Sequence, residues 1–305
     1  MDIRKLLRKN DLILAEAAIV ESLRRSNKIE LHSRLVNALL IYDKTGKREL
    51  SHLYNNYISV AHKAGVPIVI CTPTWRANKE RLLETKLSSD VNKDAVRFMK
   101  QLRSSWSSWE ENILIGGLIG CKNDCHKPTE GLSPQDAYSF HSWQLNKLAE
   151  AGVDFLIAET LPAVPEAKGI AQAMSETGVP YIISLVINRK GKILDGNNLE
   201  YAFNEIDSVC DRPPLGFMIS CSYPSFLNAD KQPGSIFSRL IGYLANASSL
   251  DHSELDGAKK LDVDDISDWG NRMIELNRRY AVKILGGCCG TNAQHLQYIV
   301  DNLNI

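Results

Sequence analysis

The 305-residue chain has no surplus of either charge, with 36 Lys and Arg against 36 Asp and Glu. Without a net field it has no global means of drawing nucleic acid, an acidic membrane or a polyanionic substrate to its surface, so the expected partners are small molecules. No run reaches the roughly 18 apolar residues that a membrane-spanning helix needs. The opening Met1-Asp2-Ile3-Arg4-Lys5 lacks the apolar core of a secretory signal, and a cytoplasmic location is expected. Linker-like Pro/Gly/Ser tracts and low-complexity segments are also missing, which leaves one domain over residues 1–305. Cysteine is sparse and odd in number, seven in all. Scattered over a long chain in a reducing compartment, these point to free thiols or metal binding and away from a disulfide framework.

What is present is a repeated unit. Lys63-Ala64-Gly65-Val66-Pro67 leads into Ile68-Val69-Ile70, Glu150-Ala151-Gly152-Val153 into Phe155-Leu156-Ile157, and Glu176-Thr177-Gly178-Val179-Pro180 into Tyr181-Ile182-Ile183. In each, glycine ends a helix and a β-branched run enters a sheet buried on both faces. Further strand-like runs are Leu12 to Ala15, Ile113 to Ile119, Leu215 to Ile219, Ile241 to Ala245 and Val282 to Leu285, making eight. Helices alternate with them, one opened by Ser133 and Pro134 and closed by Gly152. Eight such units predict an α/β fold, a (β/α)8 TIM barrel, with an open doubly wound sheet as the alternative. The acidic stretch from Asp251 to Asp268 reads as a loop or an exposed helix start.

Barrel chemistry gathers where strands end. Those corners hold Glu16, Cys71-Thr72-Pro73-Thr74, Gly120-Cys121, Glu159-Thr160, Ser220-Cys221, Asn246 and Cys288-Cys289. The most informative is Gly286-Gly287-Cys288-Cys289-Gly290-Thr291, two adjacent thiols framed by glycines. Alone it signals metal or redox chemistry. A Cys288–Cys289 disulfide would strain the peptide between them, which disfavours redox cycling. Cys221 with Cys288 and Cys289 would supply the three protein ligands of a catalytic zinc, leaving its fourth position open. Three thiolates make that metal a weak Lewis acid for hydrolysis and a good seat for an incoming thiol.

These segments resemble the zinc-dependent homocysteine S-methyltransferases, which include enzymes using S-methylmethionine or betaine and the homocysteine-binding module of cobalamin-dependent methionine synthase. The likeness covers nearly the whole chain and rests on Gly286 to Thr291 with His295, on Asp154 to Thr160 with Glu166-Ala167, and on Cys221-Ser222. It implies Zn2+ on Cys221, Cys288 and Cys289, and Glu159 on the amino group of homocysteine. Glu16, Thr72 and Thr74, at the first and second corners, are expected as further substrate-binding residues. The loop around Trp75 would meet a cationic methyl donor. Three departures stand out. Glu16-Ala17-Ala18 replaces the usual Asp-Gly-Gly, Ser220 replaces Asn before the first zinc cysteine, and Arg76 stands where some relatives carry an aromatic residue. The expected reaction moves a methyl group from an onium donor to homocysteine, forming methionine. The chain lacks the long C-terminal extension of betaine-using relatives, which favours a sulfonium donor. The alternative is a non-catalytic zinc- or thiol-binding barrel, supported by the altered first corner.

Other residues read as structural. Cys71 and Cys210 are expected as small core hydrophobes. Cys121, Cys125 and His126 have metal-like spacing but are expected in the loop after the third strand without a site of their own. His32, His52, His62, His141, His252 and His295 are expected on surfaces or helices, and Trp106 and Trp109 as helix packing.

Overall fold

A computed structural model describes residues 2–26, 28–85, 87, 90–251, 254 and 261–303. Eight parallel strands occur in chain order: β1 Ile13–Ala15, β2 Ile68–Cys71, β3 Ile113–Gly120, β4 Phe155–Leu161, β5 Tyr181–Leu185, β6 Phe217–Ser222, β7 Leu240–Ala245 and β8 Ile284–Gly287. Each pairs with the next. β1 also pairs with β8 through Ile13↔Ile284 and Leu14↔Leu285, which closes the barrel and excludes the open sheet. Around it run α1 Ile3–Lys9, α2 Val20–Arg24, α3 Lys44–Ala64, α4 Lys79–Thr85, α5 Val91–Ser104, α6 Pro134–Glu150, α7 Val164–Glu176, α8 Leu199–Asp207, α9 Ile266–Tyr280 and α10 Ala293–Asn302.

The repeat's glycines fold as their sequence suggests. Gly65, Gly152 and Gly178 take φ of 69°, 78° and 81°, the left-handed turn that ends a helix and redirects the chain into a strand. Ser133 caps α6 by accepting the Asp136 N–H, with Pro134 at the first helical position.

Alternation then sorts the side chains. Ile13 and Ala15, Val69 and Cys71, Phe155 and Ile157, Ile182, Met218, Leu244 and Ile284 form one buried cluster inside the barrel. A larger cluster lies between strands and helices and contains Leu14, Ile68, Ile70, Leu156, Ala158, Phe217 and Ile219. Ile3 and Leu6 of α1 join the inner cluster at Ile13, Leu114, Phe155 and Ile284, residues at or near strand starts. The N-terminal helix therefore closes the bottom of the barrel, and Lys283 fastens it by donating from Nζ to the carbonyls of Leu7 and Asn10.

Two strands end later than their apolar runs. β6 continues through Ser222 and β8 through Gly287, so Cys221 lies within a strand and Cys288 directly follows one. Of the acidic stretch, residues 252, 253 and 255–260, including His252, lie outside the described residues. Asp265 caps α9 by accepting from Ser267 and Asp268 N–H. Among the described residues no helix is long and apolar enough to cross a membrane.

Candidate active site

The C-terminal ends of the strands surround a cavity of about 940 Å³ whose lining includes Glu16, Thr72, Trp75, Arg76, Glu159, Thr160, Cys221, Asn246, Cys288 and Cys289. Period-two alternation brings Glu159 there, because Phe155 and Ile157 point inward and Glu159 is next in that series. Thr160 and Cys221 would face outward by the same rule. Instead the register shifts between Ala158 and Leu161 and between Ser220 and Ser222, and both residues adopt positive φ, 60° and 53°. Such bulges re-aim side chains at functional sites, and a non-glycine residue in this region carries roughly 1–3 kcal/mol of strain. Ser220 joins the two irregularities by accepting the Thr160 N–H at 3.1 Å.

The irregularity in β6 brings Cys221 to the thiols that follow β8. Its Sγ lies 2.9 Å from that of Cys288 and 4.0 Å from that of Cys289. The Cys288–Cys289 turn is firmly held: Cys288 N–H donates to Ala245 O at 2.7 Å, and Cys289 O accepts from Ala247 N–H at 2.9 Å. The Gly290 N–H bonds the Glu21 carboxylate, and Thr291 Oγ1 donates to Cys288 O at 2.6 Å. All seven cysteines are free thiols. Hydrogen bonding to Cys288 and Cys289, then burial, pushes the Cys221 thiol up. Three thiols within 4.8 Å of one another offer a donor set that a single cation can share, and its charge would reverse this resistance to ionisation.

Beside the thiols lies an acid pair. Glu16 Oε2 accepts the Cys71 N–H at 2.7 Å, and the Cys71 Sγ donates to Glu159 Oε1 at 3.8 Å. Burial raises the Glu159 pKa from 4.5 to about 7. Glu16 is also raised, first by burial and then by Glu159, against the lowering effect of the Cys71 N–H. No Lys or Arg pairs with either acid among the described residues. A pocket holding two such carboxylates suits a cationic group of the ligand.

Thr72 and Thr74 are fully buried. Their hydroxyls bond each other at 2.7 Å, Thr74 donates to Leu118 O and Leu118 N–H donates to Thr72, which fastens the β2 corner to β3. Thr72 lines the cavity and Thr74 stands behind it. Arg76 lies 4.0 Å over the Trp75 ring, so one face of that indole is already covered by a cation, while the Trp75 Nε1–H donates to Thr160.

Cys71 was expected as core and is buried, yet it bridges the two acids. The signal was its position as the last residue of a strand. Cys121 and Cys125 lie in the loop after β3, and the metal-sized thiol group found among the described residues is the Cys221 trio. That loop is tied down by Glu166, which accepts from Lys122 N–H, Leu132 N–H and His141 Nε2. His141, expected as an ordinary helix residue, is thus buried in a polar contact that helical periodicity does not reveal. His295 closes the α10 capping box and meets the Trp269 ring at 4.9 Å; burial lowers its pKa to about 4. Trp106 and Trp109 pack against His62, as expected of helix packing.

A family model described as homocysteine S-methyltransferase matches residues 13–303. Homocysteine S-methyltransferase 4 of Zea mays is 25% identical over 177 residues, covering 53% of this chain and 48% of the maize protein, so the match spans about half of that relative. Among solved structures, the metallated form of the Escherichia coli homocysteine methyltransferase MmuM superposes with a TM-score of 0.75 at 16% identity, covering 98% of this chain and 99% of the other. Its oxidized form gives 0.74 at 17%, covering 97% and 98%. These two structures show that the fold is shared. With the family model spanning the barrel from β1 to the end of α10, the chain belongs to the homocysteine S-methyltransferase family.

Proposed function

We propose that the chain transfers a methyl group from an onium donor, such as S-methylmethionine, to the thiol of homocysteine, forming methionine, with zinc held by Cys221, Cys288 and Cys289. The observation that carries this reading is the meeting of three thiols and two carboxylates in one cavity. Bound zinc would supply the positive charge that lets its thiol ligands and an incoming thiol ionise near neutral pH.

The chain's own groups do the rest. Glu159 and Glu16 hold the ammonium of the amino-acid acceptor by charge-assisted hydrogen bonds, and a cation there restores the ionised state that burial opposes. Cys71 keeps Glu16 in place through its N–H, and Tyr54 anchors that residue by donating to Cys71 O at 2.8 Å. Thr72 and Thr74 support the acceptor's wall by fixing the β2 corner. Leu244 lines the cavity and belongs with Ile157 to the apolar interior of the barrel.

Purification under reductant with added zinc should yield about one zinc per chain and methionine formation with S-methylmethionine in a panel that includes S-adenosylmethionine and betaine. Zinc binding without product from any donor would support the non-catalytic thiol-binding barrel. Failure to retain zinc would overturn the methyl-transfer reading.

A further inference from the structure

Arg76 is 7% exposed and makes no ion pair among the described residues. Its Nη1 donates to the carbonyls of Cys121 at 2.7 Å, Lys122 at 3.3 Å and Asn123 at 2.8 Å. Its guanidinium also hydrogen-bonds the Cys121 side chain, which lowers that thiol's pKa against the upward push of burial. Arg76 nevertheless lines the cavity and keeps 7% of its surface exposed there.

Arg81 lines the same cavity and donates to Arg34 O at 2.9 Å and to Lys122 O at 3.4 Å. Two guanidinium groups thus converge on one carbonyl oxygen, that of Lys122. The neighbouring acids are engaged elsewhere, Glu80 with Lys122 and Glu84 with Arg34. Burial, then the charges of Arg76 and Arg34, lower the Arg81 pKa. Glu84 and Glu80 offset this only in part, and like charges held close in a partly dry wall are costly, a cost that an anion between them would reduce.

We propose that Arg76 and Arg81 form an anion subsite that seats the carboxylate of the methyl donor. The proposal rests on the methyl-transfer reading above. It assigns the subsite to the donor because the acceptor's carboxylate shares a carbon with its ammonium and must stay near Glu16 and Glu159. Arg76 acts on Cys121 and Cys125, the thiols of the loop after β3. Cys125 also feels Cys289, which places this wall beside the thiol trio. The planar guanidinium fork suits a carboxylate, and stacking on Trp75 holds the Arg76 plane fixed. The Arg76 position thus becomes a determinant of donor choice, favouring zwitterionic onium carboxylates over simple sulfonium ions.

Arg76 also braces the loop after β3, so Arg81→Gln is the primary variant and Arg76→Lys the second. Initial rates with zinc-loaded enzyme should show the KM for S-methylmethionine rising about tenfold or more in Arg81→Gln. The homocysteine KM should stay within about twofold, and rates with the carboxamide of S-methylmethionine should be nearly insensitive to the change. Arg76→Lys keeps the charge but loses the fork, and should show a smaller effect on the same parameter. Equal losses with both donors, or a loss confined to homocysteine, would overturn the subsite. Calorimetric titration of zinc-loaded protein with S-methylmethionine separates this inference from the function on which it rests. Arginine-dependent binding without turnover would keep the subsite and reject the reaction, whereas turnover with donor binding independent of both arginines would do the opposite.

Discussion

Glu159 and Glu16 work against the fold that holds them. Burial raises the folded-state pKa of Glu159 to about 7 and moves Glu16 in the same direction. Below the unfolded value near 4.5 both states are protonated and nothing is lost. As pH rises from there through 7, the unfolded chain releases protons that the folded chain keeps, so ligand-free stability falls. Glu159→Gln should therefore stabilise the ligand-free protein by about 1–2 kcal/mol at pH 8, less than the full shift implies because the carboxylate opens on the cavity. The same change should raise the homocysteine KM at least tenfold, through loss of a charge-assisted bond. Thermal melts at pH 5 and pH 8 check the first part; a gain of equal size at both would assign the effect to something other than titration. The residues that announced themselves in the sequence were those whose type is costly anywhere else, such as Cys288 and Cys289 between glycines or Glu159 ending an apolar run. Cys71 and Arg76 gave no sign by residue type. Cys71 offered only its place at a strand end, and Arg76 only its departure from relatives that carry an aromatic residue there, until the β3 loop folds over it.

Among the elements, β8 and the turn after it carry the tightest constraint. A Cβ on Gly287 would stand 2.0 Å from Thr291 Oγ1 and 2.6 Å from its Cβ. The Thr291 hydroxyl donates to Cys288 O and accepts from Ala18 N–H, so it links the thiol turn to the corner after β1. Gly287→Ala should cost about 2–3 kcal/mol through overpacking and weaken metal retention by displacing that turn, which melting curves and chelator competition would measure. Unchanged metal affinity would show that the turn tolerates the movement. Strand order and helix boundaries were legible because Gly65, Gly152 and Gly178 punctuate a regular αβ repeat. The ends of β6 and β8 were not, since a bulge and paired glycines leave no trace in apolar periodicity. Ser220 shows the same limit: as a departure from the family pattern its effect was unreadable, whereas in the barrel it ties the β6 bulge to Thr160.

Across the whole molecule, the thiol trio joins β6 to the turn after β8, strands that are not neighbours in the closed sheet. A metal held there cross-links the barrel through β7 and should stabilise it by mass action, about 4 kcal/mol at free zinc a thousandfold above its dissociation constant. Scanning calorimetry with and without zinc should show a higher Tm for the loaded protein, and Cys288→Ser should remove that increment while leaving far-UV circular dichroism unchanged. An increment that persists in the variant would place the stabilising ion elsewhere.

The packed interior of the barrel, with α1 laid over its far end, leaves the cavity no passage through the sheet. On the methyl-transfer reading, acceptor, donor, product and any proton set free by the thiol must therefore all enter and leave on the thiol side.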